Sequence, residues 1–358
     1  MYKLTYMKIR RIHLRDVGPY RGPREFNLHD ERRDQNQRLV LFSGPNGTGK
    51  SSLLRSIAHL WDMTGKWLAT PEVKPKANTQ ARAWLRSRVG AVALIVDGVP
   101  GFTETVGIYF GDEAYFDTIK AGAEFWIGEL SHKPKGKGRP DLIHYSDQER
   151  LALWSKAHSQ LVLGQESITP NIIHLDGEER QWVRPKGDPG RPIADDPAKR
   201  WLVRYQPTED WQGQVEASLV ALKTLDDPHY QKVITDLNQF LVGKAIRPQP
   251  TSTLRLLIDV KNGGAEQSHL LDELSAGERQ VLIQLYLVSR WLQPGGVVLL
   301  DEPDLHMHPS LVDQFVARVD AIVEERGGQL ILTSHLPMIW DYVEARGTRI
   351  RLGQGGEL

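Results

Sequence analysis

The chain has 358 residues, with 45 Lys+Arg against 45 Asp+Glu and no cysteine. That length can bury a large core, in one big domain or two lobes, and 40% hydrophobic with 25% charged residues is an ordinary globular balance. The missing cysteines exclude a disulfide framework, a zinc–thiolate site and a thiol nucleophile, and zero net charge gives no global support for a strongly basic nucleic-acid binder.

In chain order, residues 8–28 read as two short strands around Gly18-Pro19, and 29–38 as a charged loop. Leu39–Phe42 is a continuous apolar run, the pattern of a strand buried on both faces. A glycine-rich turn follows, then a helix over Ser51–Trp61 with Leu53, Leu54, Ile57 and Ala58 at helical spacing. Ala91–Val96 and Thr105–Phe110 read as strands, Ser131–Pro140 as a basic loop, Leu151–Leu161 as a helix and Asn171–Leu175 as a strand. Pro185–Pro197 is a Pro/Gly-rich loop, Pro228–Val242 a helix and Leu254–Val260 a strand. The last third alternates: helix Gly277–Leu292, strand Val297–Leu300, helix Ser310–Arg326, strand Gln329–Thr333. Such alternation implies an α/β protein with a parallel sheet. Apolar runs are strand-sized, and no apolar segment follows the charged N-terminus, so we expect a cytoplasmic chain without membrane contact.

Five motifs carry chemistry. Gly44-Pro45-Asn46-Gly47-Thr48-Gly49-Lys50-Ser51 fits the phosphate-loop pattern between a strand and a helix. Glycines let the backbone wrap a polyphosphate, and N–H groups at the helix start point at the anion. Lys50 is expected to reach the β- and γ-phosphates, Ser51 to ligate Mg²⁺, and Ser52 to complete the nucleotide-binding set for ATP. Val297–Leu300 ends in Asp301-Glu302, where ligand sites of parallel sheets lie. Asp301 is expected at the Mg²⁺, and Glu302 as the general base for the attacking water. Ser275 and Gly277 open a helix and form a second anion-binding end, which suits a nucleotide held by another subunit; taken alone, an ordinary cap is the simpler account. His335 after Leu332-Thr333-Ser334 is a candidate γ-phosphate sensor, although a lone histidine is more often structural. His306 and His308, two apart in a loop, read as packing and dimer contact rather than a metal pair.

The order of these motifs resembles the ABC-type ATPase heads of the RecF/SMC/OLD group. GPNGTGKS is similar to the Walker A motif, LSAGER to the signature, VVLLDE to Walker B, TSH to the histidine switch, and DEPDLHMHP to the D-loop of OLD-like ATPases, many of them phage-defence components. The resemblance covers about 8–61 and 270–340. It implies an ABC-ATPase head with a mostly parallel central sheet, an antiparallel N-terminal β subdomain and an inserted helical or mixed second lobe. The expected division is 1–61 with Walker A, 62–270 inserted, and 271–358 with the remaining motifs. It also implies a homodimer or higher even oligomer through an ATP sandwich, with Ser275 and Gly277 touching ATP in trans and Asp304 crossing the interface. No Q-loop glutamine stands out: Asp176 follows the Asn171–Leu175 strand, with Gln165 and Gln181 as alternatives. There is no zinc hook, no long coiled coil and no Toprim-like acidic cluster after Ser334, so a nuclease would be a separate partner.

The leading expectation is an ATP-hydrolysing dimeric switch for anti-phage defence or DNA repair, which senses DNA or controls a nuclease or toxin partner. The alternative is a nucleotide-gated scaffold that cages an effector with little turnover. Local charge bears on DNA. Residues 1–40 hold ten Lys+Arg against five acids, and Lys133–Arg139 adds a basic loop, whereas the stretch from Gly295 onward holds ten acids and five bases. A solvated face explains the N-terminal excess equally well.

Overall fold

The computed structural model describes residues 6–70, 79–130, 141–143, 148–179, 181–183, 196–207, 214–262, 265–304 and 307–353. Leu39–Ser43, Ile172–Leu175, Val297–Leu300 and Gln329–Thr333 are buried along their whole length. They form the middle of a six-stranded sheet, flanked by Leu202–Arg204 beside Ile172–Leu175 and by Thr348–Arg351 beside Leu39–Ser43. Every pairing in it is parallel. A strand covered on both faces needs no polar alternation, which is why these segments are continuous apolar runs.

Successive side chains still point to opposite faces. Val40, Phe42, Ile172, Val297, Leu299 and Ile331 enter one core, while Leu39, Leu41, Ile173, Val298, Leu300 and Leu332 enter the other. The second core is closed by the helices Val215–Leu225, Asp227–Asn238, Ala276–Trp291 and Pro309–Glu325. The first is closed by the Lys50–Ala69 helix, whose far side meets another six-stranded sheet. That sheet runs in the order Tyr20–Asn27, Lys8–Val17, Val89–Asp97, Val106–Gly111, Phe125–Leu130, Asp141–Ile143. It is antiparallel except between Val106–Gly111 and Phe125–Leu130.

Squeezed between two sheets, the Lys50–Ala69 helix is buried over most of its circumference, and its polar residues Ser52, Arg55, Asp62 and Lys66 lie on the side left more open. It runs past the expected end at Trp61 because Met63, Trp67 and Leu68 continue the buried surface. Trp61 and Trp201 stack 4.2 Å apart, and each indole N–H donates to the other's carbonyl, at 3.0 and 2.7 Å. The Gln329 amide joins the two sheets: it accepts from Ile9 N–H at 2.8 Å and donates to Ile9 O at 3.0 Å and Gln37 O at 2.8 Å.

The parallel centre and the antiparallel N-terminal sheet agree with the fold class expected from sequence. Strands from within 62–270 complete both sheets, Val89–Asp97 to Phe125–Leu130 in one and Ile172–Leu175 with Leu202–Arg204 in the other. The 29–38 segment is more ordered than a loop. His29–Asp30 pairs with Gln35–Asn36, because Asp30 Oδ1 accepts the Arg32 N–H at 3.0 Å and His29 Nδ1 bonds Asn36 Oδ1 at 2.9 Å. The Ser131–Pro140 loop and most of Pro185–Pro197 lie outside the described residues, as does His306. No helix among the described residues is long and apolar enough to cross a membrane.

Candidate functional site

Gly44–Gly49 joins the Leu39–Ser43 strand to the Lys50–Ala69 helix. Gly49 is the helix N-cap at φ 93°, and a Cβ there would stand 2.7 Å from the Tyr20 ring and 2.8 Å from Pro19 Cγ. Only glycine fits both the left-handed backbone and the space. Gly47, at φ 81°, has nothing within 4 Å of where its Cβ would be, so the outer rim of the loop faces open space. Thr48 Oγ1 donates to Pro45 O at 2.9 Å and closes the loop. Lys50 is nearly buried, 4% exposed. Its Nζ donates to Gly44 O at 3.0 Å and Pro45 O at 3.1 Å. Burial lowers its pKa, opposed by the carboxylates of Glu302, Asp301 and Asp304. The ammonium therefore sits in the concavity where a polyphosphate's charge would be needed.

The opposite wall is built from adjacent strand ends. Asp301 is 2% exposed. Thr333 Oγ1 donates to its Oδ1 at 2.6 Å, and the Ser51 hydroxyl also bonds its carboxylate. Burial raises the Asp301 pKa, and those two hydrogen bonds oppose the shift. The same Thr333 oxygen accepts the Glu302 N–H at 2.9 Å. Glu302 stands at φ 44°, a left-handed conformation that costs a non-glycine residue about 1–2 kcal/mol. Thr333 holds that turn, so consecutive carboxylates aim at different places. Glu302 Oε1 lies 3.9 Å from Lys50 Nζ and 3.1 Å from His335 Nε2. Asp304 Oδ1 accepts from Ser334 Oγ at 3.0 Å, tying its loop to the residue before His335.

The structure thus brings Gly44–Ser51, Asp301, Glu302, Asp304 and His335 together. Ser275 stands on a different element. It caps the Ala276–Trp291 helix, accepting the Glu278 N–H at 3.3 Å while Glu278 Oε2 accepts the Ser275 N–H at 2.8 Å. Lys244 Nζ closes that corner on Glu278 Oε1 at 2.9 Å.

Thr333 and the pair Arg55–Asp176 received no role from sequence. Arg55 sits one helical turn past Ser51 and grips Asp176 with two bonds, 2.7 and 2.8 Å. The arginine holds the Asp176 carboxyl down at about 2 against the effect of burial. Asp176 follows Leu175, whose carbonyl accepts the Asp301 N–H at 3.0 Å. Ser51 and Arg55, four apart on one helix face, therefore address two neighbouring strand-end acids. That spacing was the available signal. For Thr333, the signal was a hydroxyl ending an otherwise apolar strand.

A cavity of about 470 Å³ opens beside Gly44 and Pro45, walled by His335, Trp340, Arg349 and Arg351. The set fits a Mg²⁺–nucleotide. Mg²⁺ takes one or two carboxylates plus substrate phosphates, which matches Asp301 with the Ser51 hydroxyl. Among the described residues no cluster of three or more His, Asp or Glu forms a metal cage of its own.

The N-terminal positive excess is largely paired. Arg10 faces Asp97 at 3.8 Å, Arg11 faces Glu25 at 3.7 Å, and Arg15 and Arg38 bond Asp112 and Asp320. Lys8, lowered to about 8 by burial, donates to Gly328 O at 2.6 Å. The Lys133–Arg139 loop lies outside the described residues.

Residues 122–341 match the family model described as "AAA domain, putative AbiEii toxin, Type IV TA system", which is more than half of the chain. The chain belongs to this AAA-domain family. The match in this AAA-domain chain takes in Ser275, Asp301, Glu302, Asp304 and His335 and begins beyond the phosphate loop. A 73-residue stretch is 30% identical to Protein ea59 of Escherichia phage lambda, covering 20% of this chain and 14% of that protein. The AAA-domain chain therefore spans a small part of that relative. Among solved structures it is similar to the SMC head domain from Thermotoga maritima, at 14% identity and TM-score 0.43, with 96% of this chain and 94% of that one covered. It is also similar to the Smc head domain with an extended coiled coil, bound to the C-terminal domain of ScpA, derived from Pyrococcus furiosus. There the identity is 13% and the TM-score 0.45, covering 96% and 93%. Scores at this level carry no argument about function.

Proposed function

We propose that the chain is an ATP-hydrolysing switch. The single observation behind this reading is the Thr333 hydroxyl, which fixes Asp301 and Glu302 side by side across from Lys50. In this reading the N–H groups of Asn46–Gly49, those of the helix start at Lys50–Ser52, and the Lys50 side chain bind the β- and γ-phosphates. Ser51 and Asp301 would hold Mg²⁺, which would supply charge neutralisation to the phosphates. Glu302 takes the proton of the water whose oxygen attacks the γ-phosphorus as the bond to the β–γ bridging oxygen breaks. His335, on Glu302 Oε1, orients that carboxylate beside the γ-phosphate.

In the same proposal, two copies sandwich ATP. Ser275 and Gly277 of one copy meet the nucleotide of the other, with Asp304 at the junction, so the working unit is a dimer or a higher even oligomer. The capping box at Ser275 supports this by presenting a pre-formed helix start. The family's description as a toxin of a type IV TA system supports a defence setting with a toxin or nuclease partner.

The test is Glu302→Gln. Turnover is expected to fall by about 10²-fold or more, with ATP binding kept and an ATP-dependent dimer trapped in a sizing experiment. Wild-type turnover in that variant would overturn the assignment. An ATP-dependent dimer of the unmutated chain without turnover would leave the nucleotide-gated scaffold instead.

A further inference from the structure

On the other flank of the phosphate-loop helix, a groove of about 460 Å³ runs between the turn after Val17 and the Gln80–Arg88 helix. Arg21, Arg55, Arg86 and Arg88 line it, with Trp84 in the wall and Ser52 at its inner end. Among the described residues, four arginines share this groove with one acidic lining residue, Asp16. That carboxylate is already engaged. Its Oδ1 accepts the Gly22 N–H at 3.0 Å, and its Oδ2 lies 3.7 Å from Arg15 Nε.

Arg55 is held by Asp176 and by Glu178 at 3.0 Å. Arg86 reaches Glu129 at 3.7 Å, a buried carboxylate that Arg82 already grips at 2.6 Å. Arg21 and Arg88 are exposed and, among the described residues, have no carboxylate within ion-pair distance. Like charges gathered on one wall repel unless an anion lies between them.

We propose that this groove binds the sugar–phosphate backbone of a nucleic-acid strand. Guanidinium forks match phosphate oxygens, and here they come from three separate elements along an open groove, which suits a chain that passes through it. Trp84, stacked on His59 at 4.4 Å, adds an aromatic surface of the kind on which unpaired bases stack. A nucleotide on the phosphate loop already has Lys50 and the loop N–H groups, so its phosphates leave Arg21, Arg86 and Arg88 unused. Arg55 belongs to both places: it lines the groove and holds Asp176 beside Asp301. Through it a bound strand biases the nucleotide site; this coupling rests on the ATPase reading, while the binding does not.

The test titrates the full chain with labelled DNA and RNA oligonucleotides of about 30 nucleotides, single- and double-stranded, between about 50 and 200 mM salt. Arg86→Ala with Arg88→Ala is expected to weaken single-strand binding at low salt by about tenfold or more. It should also cut the slope of log affinity against log salt by about 1.4. The double Arg→Lys variant keeps most of the slope. Binding of a fluorescent ATP analogue is unchanged in both. No oligonucleotide binding at low salt, or an unchanged slope in the alanine variant, overturns the proposal. So does loss of ATP-analogue binding with oligonucleotide binding intact, because the groove would then hold the nucleoside end of ATP. Arginine-dependent oligonucleotide binding by a chain that hydrolyses no ATP supports the groove and sinks only the ATPase reading.

Discussion

The two six-stranded sheets use polar residues in opposite ways. In the parallel sheet they gather at one end: the phosphate loop after Ser43, Asp176 after Leu175, Asp301 and Glu302 after Leu300, and Thr333 with His335. In the antiparallel sheet they are scattered along the strands and paired, across neighbouring strands as Arg10 with Asp97 and Arg11 with Glu25, or with flanking elements as Arg15 with the helix cap Asp112 and Glu129 with Arg82 of the Gln80–Arg88 helix. Strand direction explains the contrast. Parallel strands all finish on one side, so the polar residues that end them add up to a site. Antiparallel neighbours finish on alternate sides, and their charges neutralise each other across the sheet. Removing a side chain from the first sheet should therefore cost activity, and from the second, stability.

The largest expected effect is in the second sheet. Glu129 is fully buried, and among the described residues only one of its carboxylate oxygens has a partner, chiefly Arg82. Arg82→Leu leaves that charge in the core and is expected to destabilise the chain by about 3–5 kcal/mol, read by urea unfolding. ATP affinity per folded molecule should not move. A loss below about 1 kcal/mol, or weakened ATP binding at full stability, would erase the contrast.

Thr333→Val keeps the shape and removes the hydroxyl that Asp301 and Glu302 share. Turnover is expected to drop by about 10²-fold, roughly 3 kcal/mol of barrier, while the melting temperature changes little and Thr333→Ser recovers most of the rate. Turnover within about threefold of the parent, under 1 kcal/mol, would show that the bridge is structural decoration.

The contrast between the sheets also sets what the sequence could reveal. Leu39–Phe42, Val297–Leu300 and Gln329–Thr333 stand out because burial on both faces leaves unbroken apolar runs, and the residues that end them are contiguous with those runs. Asp301, Glu302 and His335 were legible for that reason. Asp176 ends a similar run, but its meaning depends on Arg55, which lies 121 positions away. Leu202–Arg204 and Thr348–Arg351 are too short to carry a periodic signal, and only their neighbours make them strands. In the antiparallel sheet the N-terminal excess of positive charge was readable as a count. Its cancellation was not, because Asp97, Asp112 and Asp320 come from distant segments.

A third, smaller effect lies at the outer end of the parallel sheet. His59 and His174 are each held at about 3 by burial and by Arg204. Both are depressed below the ordinary value near 6.5, so the folded state keeps them neutral and the unfolded chain binds their protons first. Their contribution is complete above about pH 6.5 and is lost as pH falls toward 3. Between pH 7 and 5 either histidine should cost about 2 kcal/mol, seen as a falling melting temperature. A flat profile over that range would mean that the two rings are solvated rather than enclosed.

The smallest expected effect is Arg10→Ala, and it separates counting charge from locating it. Arg10 faces Asp97 at 3.8 Å, and Asn36 also donates to that carboxylate at 2.6 Å, so the aspartate keeps a partner when the arginine goes. Stability should fall by under about 1 kcal/mol. Oligonucleotide affinity at low salt should stay within about twofold, because a guanidinium already matched by a carboxylate releases few counterions from a phosphate chain. If affinity falls as far as it does when Arg86 and Arg88 are removed, the strand lies along the whole N-terminal face and the bare excess of positive charge is its correct description. If only the groove variants respond, Arg86 and Arg88 do the binding, and pairing across the antiparallel sheet is what confines it to the groove.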